Sequence, residues 1–229
     1  MQRSFLVFGF LATICLFAAV APAQAQIGMD IFQRPSITKV LHPVVGKGAA
    51  YLSTDKDGKT RTTEVSVVGK DSVDGKEGFW VEFYSTDSTG KAVVGKALIT
   101  LADFQFQRMI IQPPGQQAME MPMNMANAHR SKIEENANDW HSVGPDTITV
   151  PAGTFPCEHW HNDKTNGDIW TSDKITPFGM VKDTHNGTTQ VLTKILDNAT
   201  DRITGPVKQF DMQQMIQQMQ QQHQQRQQP

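Results

Sequence analysis

The sequence predicts a mainly β protein built on an antiparallel sheet, and three observations predict it. Short runs rich in Val, Thr, Ile and aromatic residues alternate apolar with polar positions, the period of a half-buried strand. Clusters of Gly, Asn, Asp and Pro punctuate these runs at a spacing of roughly ten residues, the rhythm of a meander. Between them no segment has the length and period of the crossover helix that a parallel sheet requires. The chain has 229 residues, enough for one domain with its own core and no need of disulfide or metal staples.

The elements follow in order. Residues 1–25 read as a secretory signal: Arg3 is the positive start, Phe5 to Val20 is apolar, and Ala23-Gln24-Ala25 is a small-x-small cleavage site, placing the mature start at Gln26. The apolar stretch falls short of the roughly 20 residues a spanning helix needs. The chain is therefore expected to be exported and periplasmic, with no transmembrane segment after cleavage. Residues 26–45 form a lead-in, in which Asp30 to Val45 is expected to hold a short helix or turn. The β domain is expected over 46–205. Its strands begin with Gly48–Ser53 and Thr62–Val68, joined across Asp55-Lys56-Asp57-Gly58-Lys59. Next, beyond Asp74-Gly75, comes Gly78–Tyr84, with Phe79, Val81 and Phe83 on one face and Trp80, Glu82 and Tyr84 on the other. Ala92–Leu101 and Phe106–Gln112 complete the first half. Pro113-Pro114 then breaks the meander, and 113–128 reads as a Met-rich loop.

Strand signals resume at Trp140–Val143 and Thr147–Val150. A corner at Pro151-Ala152-Gly153 leads to Thr154–His161, and Asn166-Gly167 leads to Asp168–Ser172. Met180–Thr184 and Thr188–Leu196 flank Asn186-Gly187, the strongest hairpin signal in the chain, because a type I′ turn needs positive φ at both central residues. This gives nine or ten strands. Residues 206–229 are a Gln-rich tail. Asp211 is placed to cap an amphipathic helix with Met212, Met215, Ile216 and Met219 on one stripe, and the Gln run beyond it is expected to be disordered.

A net charge of −2 removes the electrostatic footprint of a nucleic-acid binder. Cleavage removes Cys15 and leaves Cys157 alone, and burial is the commonest fate of a free cysteine. Two segments carry metal-binding residue types. In Cys157-Glu158-His159-Trp160-His161, residues two apart share a strand face at about 7 Å, so Cys157, His159 and His161 point one way, with His185 or Asp173 as a further ligand from a neighbouring strand. The alternative is that Cys157 and His159 continue a core row begun by Phe155. In Met119-Glu120-Met121-Pro122-Met123-Asn124-Met125 the thioethers suit Cu(I), and equally suit an adaptable apolar flap. Ser53-x-Asp55-x-Asp57-Gly58 with Glu64 imitates a calcium loop, but strands rather than helices flank it, so it reads as a hairpin turn. Nucleophile-elbow, phosphate-loop, zinc-protease and dinucleotide fingerprints are all missing from the sequence, and no nucleophile–base pair is assigned, so no enzyme and no cofactor is expected.

One stretch carries a resemblance. Thr149-Val150-Pro151-Ala152-Gly153-Thr154-Phe155-Pro156-Cys157-Glu158-His159 is similar to the Val-Pro-Ala-Gly-Thr-Phe corner of exported bacterial families of unknown function. Asp168-Ile169-Trp170-Thr171-Ser172-Asp173-Lys174, followed by Pro177-Phe178-Gly179-Met180-Val181-Lys182, resembles their next hairpin. Gly78-Phe79-Trp80 and the Gln112–Pro122 stretch are also similar, so that most of 45–205 is covered. Those families look like the LolA/LolB superfamily of lipoprotein carriers. The resemblance implies a curved antiparallel half-barrel, covered on its concave side by a short helix or loop, that holds apolar ligands. It brings no catalytic residues, and the chain departs from the carriers in its Met-rich loop and Gln-rich tail. The reading is thus a non-catalytic envelope protein binding a lipid or acyl chain. Phe79, Val81, Phe83 and Trp170 would line the groove, and Met121, Met123 and Met125 would cover it. Two alternatives stay open: a periplasmic copper or zinc binder using the Met loop or Cys157, His159, His161 and His185, and a structural envelope component with an envelope protein as partner.

Overall fold

The computed structural model describes residues 41–87, 90–102, 105–122 and 139–210. The expected signal segment, most of the lead-in, Met123, Met125 and the tail helix lie outside the described residues. Twelve strands are present: β1 (Gly48–Thr54), β2 (Thr60–Val73), β3 (Lys76–Asp87), β4 (Ala92–Thr100), β5 (Phe106–Gln112), β6 (Met119–Met121), β7 (Trp140–Val150), β8 (Gly153–Asn162), β9 (Gly167–Thr171), β10 (Met180–His185), β11 (Thr188–Leu196) and β12 (Lys208–Gln209). They form one open, curved sheet in the order β12-β6-β5-β4-β3-β2-β1-β11-β10-β9-β8-β7. Every neighbouring pair is antiparallel except β12 on β6, which is parallel. No helix occurs among the described residues, and none there is long and apolar enough to cross a membrane.

Local chemistry explains the meander. The β2–β3 and β10–β11 hairpins turn at Asp74-Gly75 (φ 51° and 75°) and Asn186-Gly187 (φ 49° and 74°), residue pairs that tolerate the left-handed region. At the mock calcium loop, Asp55 Oδ1 accepts the backbone N–H groups of Asp57 and Lys59, both at 2.9 Å, so the carboxylate ties a turn.

Three features differ from expectation. Met119–Met121, expected within a loop, is a strand, because Met109 and Ile111 offer it paired partners on β5. The two strand signals around Pro145 merge into β7, because a bulge between Ser142 and Gly144, with Gly144 at φ 121°, absorbs the break. The head of the Gln-rich tail is attached to the sheet through β12.

Pairing register builds one apolar face. Val81, Ala97, Met109 and Met121 stand side by side across β3 to β6, and Phe83, Gly95, Ile111 and Met119 form the next row. With Ala49, Tyr51, Val65, Ile99 and Leu192, most of these belong to the main core. The opposite face of β2–β5 carries the segment 199–210. Ile203 packs with Ile110 and Ala118, beside Trp80. Lys96 pairs with Asp201, and Arg202 pairs with Glu82 and Glu64.

Candidate functional site

The groove residues expected from sequence are divided by the sheet. Phe79, Val81 and Phe83 alternate with Trp80 and Glu82 as expected, and all three are buried. Val81 and Phe83 belong to the main core, and Met121 packs half-buried against it from the row of Val81. Trp170 departs from the expectation. Pair partners carry the Val81 face through Val67 and Val65 to Ala49 and Tyr51, then through Leu192 and Gln190 to Asp183 and Ile169. Trp170 is the sequence neighbour of Ile169, so period-2 alternation sends it to the other face. It reaches the main cluster from that side.

Trp170 instead belongs to a polar cluster on β7–β10. Two cross-strand rows build it: His141, His161, Asp168 and Thr184, then His159, Trp170 and Lys182. The His159 and Trp170 rings stack, with centroids 4.5 Å apart and planes 8° from parallel, and Lys182 Nζ lies 4.7 Å from the indole centroid. The indole Nε1–H donates to Asp146 Oδ2 at 2.9 Å. A bond from the Thr147 backbone N–H, together with this one, holds the Asp146 carboxyl below the ordinary aspartate range.

Asp168 organises the two histidines. Its Oδ1 accepts His159 Nε2 at 2.8 Å and His161 Nδ1 at 2.9 Å. Partial burial pushes the carboxyl up, but the two imidazole bonds outweigh it, and Asp168 titrates below its ordinary value. An ionised carboxylate has no proton to donate, so those two ring nitrogens carry the hydrogens.

The expected Cys-x-His-x-His ligand set is not brought together. Cys157 shares the face of His159 and His161 but is buried with Phe155 in the apolar cluster, and its Sγ points back to the Phe155 carbonyl at 3.5 Å. Burial pushes its thiol up to about 11. His185 follows Thr184, the residue in register with Asp168, so it projects from the opposite face, where its Nδ1 lies 3.1 Å from Asp183 Oδ1. Asp173 lies exposed beyond the end of β9. Among the described residues, no group of three or more His, Cys, Asp or Glu side chains is placed to hold a metal ion.

Sequence reasoning missed Asp168, His141 and Lys182. The signal for Asp168 was present: a tight turn before Asn166-Gly167 folds β9 back on β8 and brings Asp168 opposite His161.

No family model and no curated protein matches the chain. It is similar to a solved structure from Bacteroides fragilis, described as exported with a YmcC-like fold, at 15% identity over 68% of this chain and 98% of that one, with a TM-score of 0.39. It is also similar to a chain from Parabacteroides distasonis described as a lipoprotein, at 14% identity over 68% and 98%, with a TM-score of 0.37. MucB in complex with MucA aligns at 10% identity over 78% of this chain and 58% of that chain, with a TM-score of 0.39.

Proposed function

We propose that this chain is an exported, non-catalytic binding protein that takes a lipid or acyl chain against the apolar face of β3–β6. The observation that carries this reading is the row Val81–Ala97–Met109–Met121. It runs unbroken from the fully buried centre of the sheet to a half-buried methionine on the short strand β6, which only the two-residue β12 separates from the sheet's edge. Large bare apolar faces are rare on soluble monomers, and Val81, Ala97 and Met109 are already covered, so a ligand would enter by displacing part of that cover beside the half-buried Met121. Met119 and Met121 are unbranched and repack readily, which suits a strand that must yield to an entering chain. Each methylene of a ligand buried there contributes about 0.8 kcal/mol, so part of a fatty chain competes with a protein flap. The export reading rests on the leader pattern of residues 1–25. The polar cluster is consistent with binding rather than turnover: the one described thiol is buried and protonated, and Asp168 engages both central histidines.

A fluorescent fatty acid titrated into the mature protein tests this, with saturable binding expected at low micromolar concentration. Replacing Met121, Met123 and Met125 together with Ser should change that affinity while the sheet's circular dichroism is kept. Absence of saturable binding by folded protein overturns the reading and leaves a structural envelope component in its place.

A further inference from the structure

We infer that the ligand is a single-chain amphiphile with an uncharged, hydroxyl-bearing head, of the monoacylglycerol type rather than a free fatty acid. Its head lies at the end of the sheet where the β1–β2 and β10–β11 turns stand, and its chain runs along the strands. This rests on the reading of the β3–β6 apolar face as a lipid site.

Register sorts that face into successive rows, each about 7 Å from the next along the strands. The rows Val67–Val81–Ala97–Met109–Met121 and Ala49–Val65–Phe83–Gly95–Ile111–Met119 are apolar throughout. The next row, Leu192–Tyr51–Thr63–Ser85–Val93, sets three hydroxyl-bearing residues between two aliphatic ends. The row after it, Asp183–Gln190–Ser53–Arg61–Asp87, is made of polar residue types alone. Polarity therefore changes along the strands and not across them, which is the direction an amphiphile must follow. Thr63, Ser85, Gln190 and Asp183 are all at most 5% exposed. The polar end is thus part of the interior, where each polar group needs a partner.

The hydroxyls show which kind of head fits. Thr63 Oγ1 and Ser85 Oγ lie 3.2 Å apart, and Ser85 Oγ donates to the Thr62 carbonyl at 3.4 Å, so Thr63 donates to Ser85 and both protons are committed. The Tyr51 hydroxyl gives its own proton to the Met180 carbonyl at 3.1 Å. What Thr63 and Ser85 retain is acceptor capacity, which a hydroxyl can meet and a carboxylate, with no proton to give, cannot. The outer row adds to the same preference. Asp183 Oδ1 lies 3.1 Å from His185 Nδ1, and Arg61 stands in register with Asp87, so the row has two Asp to one Arg and offers an anion no net attraction. Burying an ion there without a countercharge costs far more than burying a hydroxyl that finds partners.

The experiment displaces the fluorescent fatty acid from the mature chain with three competitors that share one acyl chain: monoolein, oleate and methyl oleate. Monoolein is expected to displace it about fivefold more tightly than either of the others, the worth of one net hydrogen bond. Thr63→Val and Ser85→Ala should each erase that preference and leave displacement by methyl oleate and the sheet's circular dichroism unchanged. Where a variant fails to fold, the wild-type series decides by itself. Oleate or methyl oleate displacing as well as monoolein overturns the inference, and so does a preference that survives both substitutions in folded protein. In those outcomes the fatty acid still binds and the lipid reading stands. If folded wild type binds no fluorescent fatty acid at all, both fall together.

Discussion

Glu82, with no exposed side-chain surface, is bonded twice by Arg202, a residue 120 positions later in the chain: the Arg202 backbone N–H reaches Oε2 at 2.8 Å and Nη1 reaches Oε1 at 2.9 Å. Sequence alternation placed Glu82 on the face of β3 opposite Val81 and Phe83, and that is where it stands. It is buried there because the segment 199–210 crosses over it and also brings Asp201 to Lys96. Arg202→Ala should destabilise the fold by about 2 kcal/mol, since an uncompensated buried carboxylate is costly. The effect falls short of a fully buried pair because Arg202 is 36% exposed and the backbone donor survives. Urea unfolding of the variant measures it, and a change under 0.5 kcal/mol would show that the strap contributes little.

The same contact has a pH signature. Burial pushes the Glu82 carboxyl above its ordinary 4.5, against the pull of the Arg202 bonds. A carboxyl raised in the folded state contributes stability that is present below the ordinary value and is lost as pH rises through the folded one. Glu82→Gln should therefore cost more stability at about pH 4 than at about pH 7. An equal cost at the two pH values counts against this.

Phe83 depends on a missing side chain. A Cβ on Gly95, its cross-strand partner, would lie 2.3 Å from Phe83 Cζ, so glycine is the slot into which the ring lies. Gly95→Ala should displace the ring and cost about 1–3 kcal/mol by overpacking. Phe83→Leu in that background should recover part of the loss, and a lack of any recovery in a thermal melt would show the strain to be elsewhere.

These two contacts mark what sequence could and could not tell. Turns such as Asp74-Gly75 and Asn186-Gly187 were legible because their backbone demands positive φ, a purely local requirement. The alternation of Phe79, Val81 and Phe83 was legible because strand period is fixed at two. The strap was not, since nothing near Arg202 announces a partner at Glu82. Likewise Cys157, His159 and His161 share a face as their spacing implied. Which neighbours complete that face depends on the register and bulge between β9 and β10, which put Lys182 in the row and turned His185 away.

Cys157 should label slowly with thiol reagents in the native state. The attacking species is the thiolate, and burial holds the thiol up at about 11, leaving very little ionised near neutrality. Full reaction is expected in denaturant. Rapid native labelling, or a disulfide-linked dimer on a non-reducing gel, would place the thiol at the surface.

The Asp168 carboxyl should set an acid limit on the β8–β9 end of the sheet. Partial burial alone would raise it, yet its bonds from His161 and His159 leave it below the ordinary 3.8. A carboxyl depressed in the folded state contributes stability that is complete above the ordinary value and is lost as pH falls through the folded one. Asn in its place keeps one acceptor oxygen and the shape but has no charge to lose. At about pH 5 Asp168→Asn should cost about 1–2 kcal/mol, the worth of hydrogen bonds to an ionised acceptor. By about pH 2.5 the gap should have narrowed, because the wild type has then protonated its own carboxyl. Urea unfolding of both proteins at the two pH values reads the gap directly. A gap that stays constant would mean that Asp168 holds the two imidazoles by shape alone, and that its charge contributes nothing to the fold.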